Sequence, residues 1–120
     1  MVKKTLVLGA SLKEDRYSNV AIKKLIANKH EVKAIGLRKG KISSVKIVTG
    51  FPKLNDIDTV TLYLQPSRQK EYYEYLISLK PKRVIFNPGT ENTEFIELLE
   101  RNNIDIEVAC TLVLLTIDRY

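Results

Sequence analysis

Apolar runs of strand length alternate with apolar stripes of helical spacing along nearly the whole of this 120-residue chain. Extended runs occupy residues 5–9, 31–36, 58–64, 82–86 and 104–108. Helical spacing falls between them: Ala21, Ile22, Leu25 and Ile26 after the first run, Tyr72, Leu76 and Leu79 after the third, and Phe95, Ile96 and Leu99 after the fourth. Strand–helix alternation with short connections suits right-handed crossovers and a parallel sheet covered on both faces. The expected fold is a three-layer, Rossmann-like α/β sandwich with a mostly parallel five-stranded sheet. Residues 44–48 could add a short strand, and residues 111–117 fit a helical turn or a strand equally well. A chain of this length buries roughly two-thirds of its unfolded surface without help from disulfides or metal, so one domain is expected over residues 1–120.

The first strand, Thr5-Leu6-Val7-Leu8, stops at Gly9-Ala10-Ser11, and a polar loop leads to a helix that Ser18 is expected to cap. A βα turn of this kind offers unpaired helix N–H groups and the positive end of the helix dipole, which together favour a phosphate. Only the first glycine of a G-x-G-x-x-G fingerprint is present in Gly9-Ala10-Ser11-Leu12-Lys13-Glu14, and nothing reads Gly-Lys-Ser/Thr, which excludes a P-loop. Lys13 and Arg16 supply charge in the loop instead. The bland alternative is that Gly9 only makes a turn and the charges are solvated. In open α/β sheets ligands bind beyond the carboxyl ends of the strands, which directs attention to residues 9–18, 36–41, 64–67 and 87–92.

An NAD site wants Asp or Glu at the end of the second strand. Here the chain reads Gly36-Leu37-Arg38-Lys39, and cations at that point suit an additional ribose phosphate, as in coenzyme A or NADP. The net charge of +6 raises nucleic acid as a partner, but the basic residues are dispersed among acids from Lys3 to Arg119, which disfavours it. No apolar run reaches the ~20 residues of a membrane span, and the N-terminus lacks signal-peptide character, so a cytoplasmic location is the expectation. The lone Cys110 permits no internal disulfide and is expected as an inert thiol. The lone His30 is expected exposed in a turn, and no metal-ligand spacing appears.

Taken together, Gly9-Ala10-Ser11 with Arg16, Ser18 and Val20, then Asp58-Thr59-Val60, Gln65-Pro66, Asn87-Pro88-Gly89 and Cys110, resemble the small stand-alone CoA-binding domains. These are similar to the N-terminal domain of the succinyl-CoA synthetase alpha subunit. The resemblance spans residues 3–120 and implies that Gly9, Ala10, Ser11, Arg16, Ser18 and Asn19 hold phosphate. It also implies that Gln65, Pro66, Asn87, Pro88 and Gly89 line the remainder of the site. The chain departs from the family after the second strand, where Ala34-Ile35-Gly36-Leu37 replaces a Pro-Val-Asn-Pro-like segment. The catalytic domain and phosphohistidine of the synthetases are absent from this stretch, so ligase activity does not carry over.

Three functions follow as expectations. The first is non-catalytic binding of coenzyme A or a related nucleotide, as a carrier, sensor or subunit of a larger assembly. The second is a small enzyme using NADP or acyl-CoA, completed by an oligomer partner. The third is a nucleic-acid-binding module. No catalytic constellation emerges among the titratable residues, so the enzymatic reading leans negative.

Overall fold

The computed structural model describes residues 2–120; Met1, at which the expected domain begins, lies outside them. The elements in chain order are β1 (Thr5–Ala10), α1 (Tyr17–Ala27), β2 (Val32–Gly36), β3 (Gly40–Ile42), β4 (Val45–Val48), β5 (Thr59–Leu62), α2 (Pro66–Gln69), a 3-10 turn (Lys70–Tyr72), α3 (Tyr73–Leu79), β6 (Arg83–Phe86), α4 (Thr93–Arg101), β7 (Asp105–Val108) and α5 (Thr111–Thr116). The strands form one sheet in the order β3-β4-β2-β1-β5-β6-β7. All neighbours are parallel except β3 with β4.

The sheet therefore has seven strands where five were expected. The two additions form a hairpin, with Lys41 opposite Lys46 and Ile42 opposite Val45. Ile42, Val45 and Ile47 point inward and are buried while both lysines are exposed, as the two-residue period of a strand requires. The two residues between the strands are serines, with Ser43 in left-handed backbone at φ 53°. β4 is the short strand that residues 44–48 allowed, whereas the three residues of β3 fall where a basic loop follows Gly36 and are too few for the period to stand out.

Apolar side chains on alternating sides of β1 explain its uninterrupted burial. Leu6 and Leu8 join Val60, Leu62, Val84 and Phe86 against Tyr72, Leu76, Phe95 and Leu99. Val7 joins Ala34 against Ile22, Leu25 and Leu115 on the other face. Each such fully buried side chain stabilises the fold by about 1.5–3 kcal/mol relative to exposure, and a strand buried on both faces reads as a continuous apolar run. The helices thus divide as expected, with α1 and α5 on one face and α3 and α4 on the other.

Several local expectations change. Ser18 does not cap α1: Arg16 occupies the N-cap position without a side-chain bond, and Ser18 is buried inside the first turn. The helical stretch expected after the third run starts at Pro66, is broken at a 3-10 turn over Lys70–Tyr72, and ends at Lys80 with φ 49°. Asn92 caps α4, its Oδ1 accepting from the Phe95 N–H at 3.2 Å. Residues 111–116, left open by periodicity, are helical. His30 is half-buried rather than exposed, and its Nδ1 accepts the Lys3 backbone N–H at 2.9 Å.

Candidate functional site

The chain leaves β1 and passes to β2, β3 and β4 on one side, then returns to β5 on the other. The order thus reverses between β1 and β5, and connections diverging from that point leave a crevice at the carboxyl ends. Two glycines set its geometry. Gly9 has φ +100°, and a β-carbon on it would stand 2.9 Å from the Tyr63 carbonyl carbon. Gly36 lies beside Ala10 in the sheet, where a β-carbon would approach the Ala10 carbonyl oxygen to 2.4 Å. Both positions therefore demand glycine for β1 to run this close to β5 and β2.

From Ala10 the chain enters a loop held by its own polar groups. The Ser11 hydroxyl accepts the Lys13 N–H at 3.1 Å, and the Lys13 carbonyl accepts the Arg16 N–H at 3.1 Å. Asn19, buried in the first turn of α1, donates from Nδ2 to the Ser11 carbonyl at 2.9 Å. The Arg16 carbonyl accepts from both Asn19 and Val20 N–H groups. The N–H groups of Tyr17 and Ser18 then remain without a partner among the described residues, which is the usual state of a helix start and the basis of its affinity for anions.

The other expected residues line the ends of neighbouring strands. Arg38 and Lys39 follow Gly36 and are exposed; Gln65 and Pro66 are exposed at the start of α2; Pro88 and Gly89 are exposed beyond β6. Lys13, Arg16, Arg38 and Lys39 form no ion pair among the described residues. Of the two acids in the first loop, Glu14 is turned to Lys23 at 3.7 Å. Asn87 differs from its neighbours because its side chain is spent inside the protein. Nδ2 donates to Thr61 Oγ1 at 2.7 Å and the Leu62 carbonyl at 2.8 Å, while Oδ1 accepts the Thr111 N–H at 2.9 Å. It braces β5, β6 and α5 beneath the rim. The Gly89 N–H is likewise taken, by Glu91 at 2.8 Å.

Sequence reasoning missed Gln69, which is fully buried and fixes two loops at once. Its Nε2 donates to the Leu64 and Thr90 carbonyls, both at 2.8 Å, and its Oε1 accepts from Asn92 at 2.9 Å. A glutamine in a short helix carries no sequence signal for such a role. Tyr63, a core or rim aromatic within the third extended run of the sequence, lies just beyond the end of β5. Burial first, against weaker opposing effects of the nearby Thr111 and Thr61 hydroxyls, raises its phenol to about 12.

Two hollows lie elsewhere. One of 670 Å³ is lined by Arg83, Glu100 and residues 103–107 along the outer strand β7, and one of 360 Å³ lies between β2, β4, Pro52 and Leu54. The first is dominated by an Arg83–Glu107 ion pair at 3.0 Å whose charges satisfy each other, whereas the rim has free N–H groups beside unpaired cations. The rim is the better-equipped anion site. No group of three or more His, Cys, Asp or Glu residues suited to a metal occurs among the described residues. Among them no helix is long and apolar enough to cross a membrane.

A doubly wound α/β sheet with a phosphate-receptive first turn defines the class as Rossmann-like. Within it, the chain belongs to the CoA binding domain family, which it matches over residues 3–116. It is similar to a solved structure described as an uncharacterized protein, 44% identical, covering 100% of this chain and 99% of that one, with a TM-score of 0.97. A hypothetical protein from Pyrococcus horikoshii is 26% identical over 93% of this chain and 80% of that one, with a TM-score of 0.83. A protein from Thermus thermophilus shares the fold at 18% identity, covering 98% and 91% of the two chains, with a TM-score of 0.84. No curated protein matches the chain.

Proposed function

We propose that this protein binds coenzyme A at the carboxyl ends of β2, β1, β5 and β6, as a carrier, sensor or subunit rather than as an enzyme. The observation that carries the reading is the pair of unpartnered N–H groups at Tyr17 and Ser18 beside unpaired Arg16 and Lys13, in a chain of the CoA binding domain family. The helix start and Arg16 hold the pyrophosphate, the side-chain cation replacing the close backbone approach that a second and third glycine would provide. Arg38 and Lys39, beyond Gly36, take the ribose phosphate through charge-assisted hydrogen bonds. Gln65, Pro66, Pro88 and Gly89 flank the ligand, and Asn87 supports the rim from below. The domain formed by the whole chain acts as the binding unit, with a cytoplasmic location as the working assignment.

NADP also carries a ribose phosphate that Arg38 and Lys39 could reach, so the test compares ligands. Coenzyme A is expected to raise the melting temperature in a concentration-dependent way, more than NADP does, while random duplex DNA at physiological salt has no effect. Steeply salt-dependent duplex binding without a CoA effect would overturn the reading.

A further inference from the structure

The face of the sheet that carries α3 and α4 is covered unevenly. Leu76 of α3 and Phe95 and Leu99 of α4 pack there against side chains of β1, β5 and β6, and α4 also lies against β7. Over β4 and β3 no helix lies on this side among the described residues. Pro52 and Leu54 alone border a hollow of 360 Å³ above β2 and β4. This half of the face is therefore lower than the other by roughly one helix diameter, about 10 Å.

Three lysines stand in a row on the lower half. Lys41 is opposite Lys46, and Lys33 precedes Ala34 just as Lys46 precedes Ile47, the partner of Ala34. Ala34, Ile42, Val45 and Ile47 pack towards α1, so all three lysines project from the other face. They are exposed. Lys33 has Glu31 at 3.9 Å, while Lys41 and Lys46 have no ion-pair partner among the described residues. Like charges directly opposite each other destabilise a strand pair, and no carboxylate among those residues relieves them here.

The raised half bears the opposite charge. Glu94, Glu97 and Glu100 are exposed at three-residue intervals along α4, with Arg101 the one cation on that helix, and none of them forms an ion pair among the described residues. Between the halves stands Phe51. It follows β4, is 56% exposed, and packs its ring 5.2 Å from that of Tyr72 and 5.4 Å from that of Tyr75.

We propose that two copies of this chain pair through this face, about a two-fold axis that runs along the strands near Phe51. The rotation sets the raised half of each copy over the lower half of the other, so the lysine row of one meets α4 of its partner. The same contact is made twice. Both patches lie on one face and towards opposite ends of the order β3-β4-β2-β1-β5-β6-β7, which lets the pair close as a dimer instead of continuing as a filament. The two Phe51 rings form the apolar centre and the charges the rim, the usual anatomy of an interface. The occupant is a second copy because α4 supplies the carboxylates that Lys41 and Lys46 lack.

Sedimentation velocity of the full chain tests the pairing. The expected result is a dimer at low salt that dissociates on dilution and as salt is raised. Lys41→Glu with Lys46→Glu, and separately Glu97→Lys with Glu100→Lys, are expected to give monomers with the circular dichroism of the wild type. An equimolar mixture of the two variants then recovers the dimer, since each offers the charge that the other now needs. Phe51→Ala weakens pairing about tenfold; unchanged pairing would overturn the placement of the axis. A wild type that is monomeric at every concentration would overturn the proposal and leave the lysine row to an acidic segment of another protein. Dimers that survive both charge reversals, or a mixture that stays monomeric, would overturn it as well.

Discussion

The two ends of the sheet are built to opposite rules. At the amino ends a set of polar and charged groups is matched within the chain. Lys3 Nζ donates to the Tyr120 carbonyl at 2.7 Å, and Thr5 and Tyr120 hydroxyls bond each other. Arg83 lies over the Tyr120 ring at 4.7 Å while bonding Thr59 and Glu107. Four of the five ion pairs among the described residues belong to this end. At the carboxyl ends, the Tyr17 and Ser18 N–H groups have no hydrogen-bond partner and the Arg16, Arg38 and Lys39 side chains no ion-pair partner among the described residues. One end closes the fold, and the other leaves these groups unpaired among the described residues.

Gly36 joins the two roles, since it lets β2 approach β1 and also opens the basic loop. Gly36→Val should destabilise the protein by about 3 kcal/mol, as overpacking against a backbone oxygen does, measured by urea denaturation. A smaller loss is expected at the amino end. Arg83→Ala, which strips a largely buried guanidinium from Thr59, Glu107 and Tyr120, should cost about 2 kcal/mol with CoA affinity unchanged. An affinity loss there would break the division between the ends.

The reverse pattern is expected at the basic loop. Replacing Arg38 and Lys39 together with Ala should weaken coenzyme A about tenfold, or ~1.4 kcal/mol, and dephospho-CoA much less, with stability within about 0.5 kcal/mol of wild type. Equal losses for the two ligands would return the loop to solvent.

The smallest effect concerns pH. Burial first, then the charge of Lys3, lowers the His30 pKa from its ordinary value of 6.5. Its contribution to stability is therefore complete above that value and fades as pH falls towards the lowered one. The melting temperature of His30→Gln should accordingly vary less than wild type between neutral and mildly acidic pH. An identical pH profile would remove His30 from the amino-end network.

The parallel strands were legible because burial on both faces leaves long apolar runs, as in Leu6–Val7–Leu8 and Val84–Ile85–Phe86. Of the β3–β4 hairpin only β4 was legible, as the possible short strand over residues 44–48; β3 was not, because Lys41 interrupts a run of three residues. Rim positions could be located from the glycines, prolines and cations that follow each strand. Bonding partners could not: the use of Asn87 depends on Thr111, and that of Gln69 on Thr90, and such distant pairings are decided only when the chain folds. Ser18 illustrates the same limit locally, since it is buried inside the first turn of α1 and Arg16 takes the N-cap position.

The central claim is that ligand recognition is confined to the carboxyl end. Titrating isotope-labelled protein with coenzyme A while following every backbone amide by heteronuclear NMR tests both ends at once. The expected result is large shifts at Tyr17 and Ser18, with others in residues 9–19, 36–39, 63–67 and 87–90, and little change around Arg83, Glu107 and Tyr120. Shifts centred on Arg83 and Tyr120, or none at millimolar ligand, would contradict it.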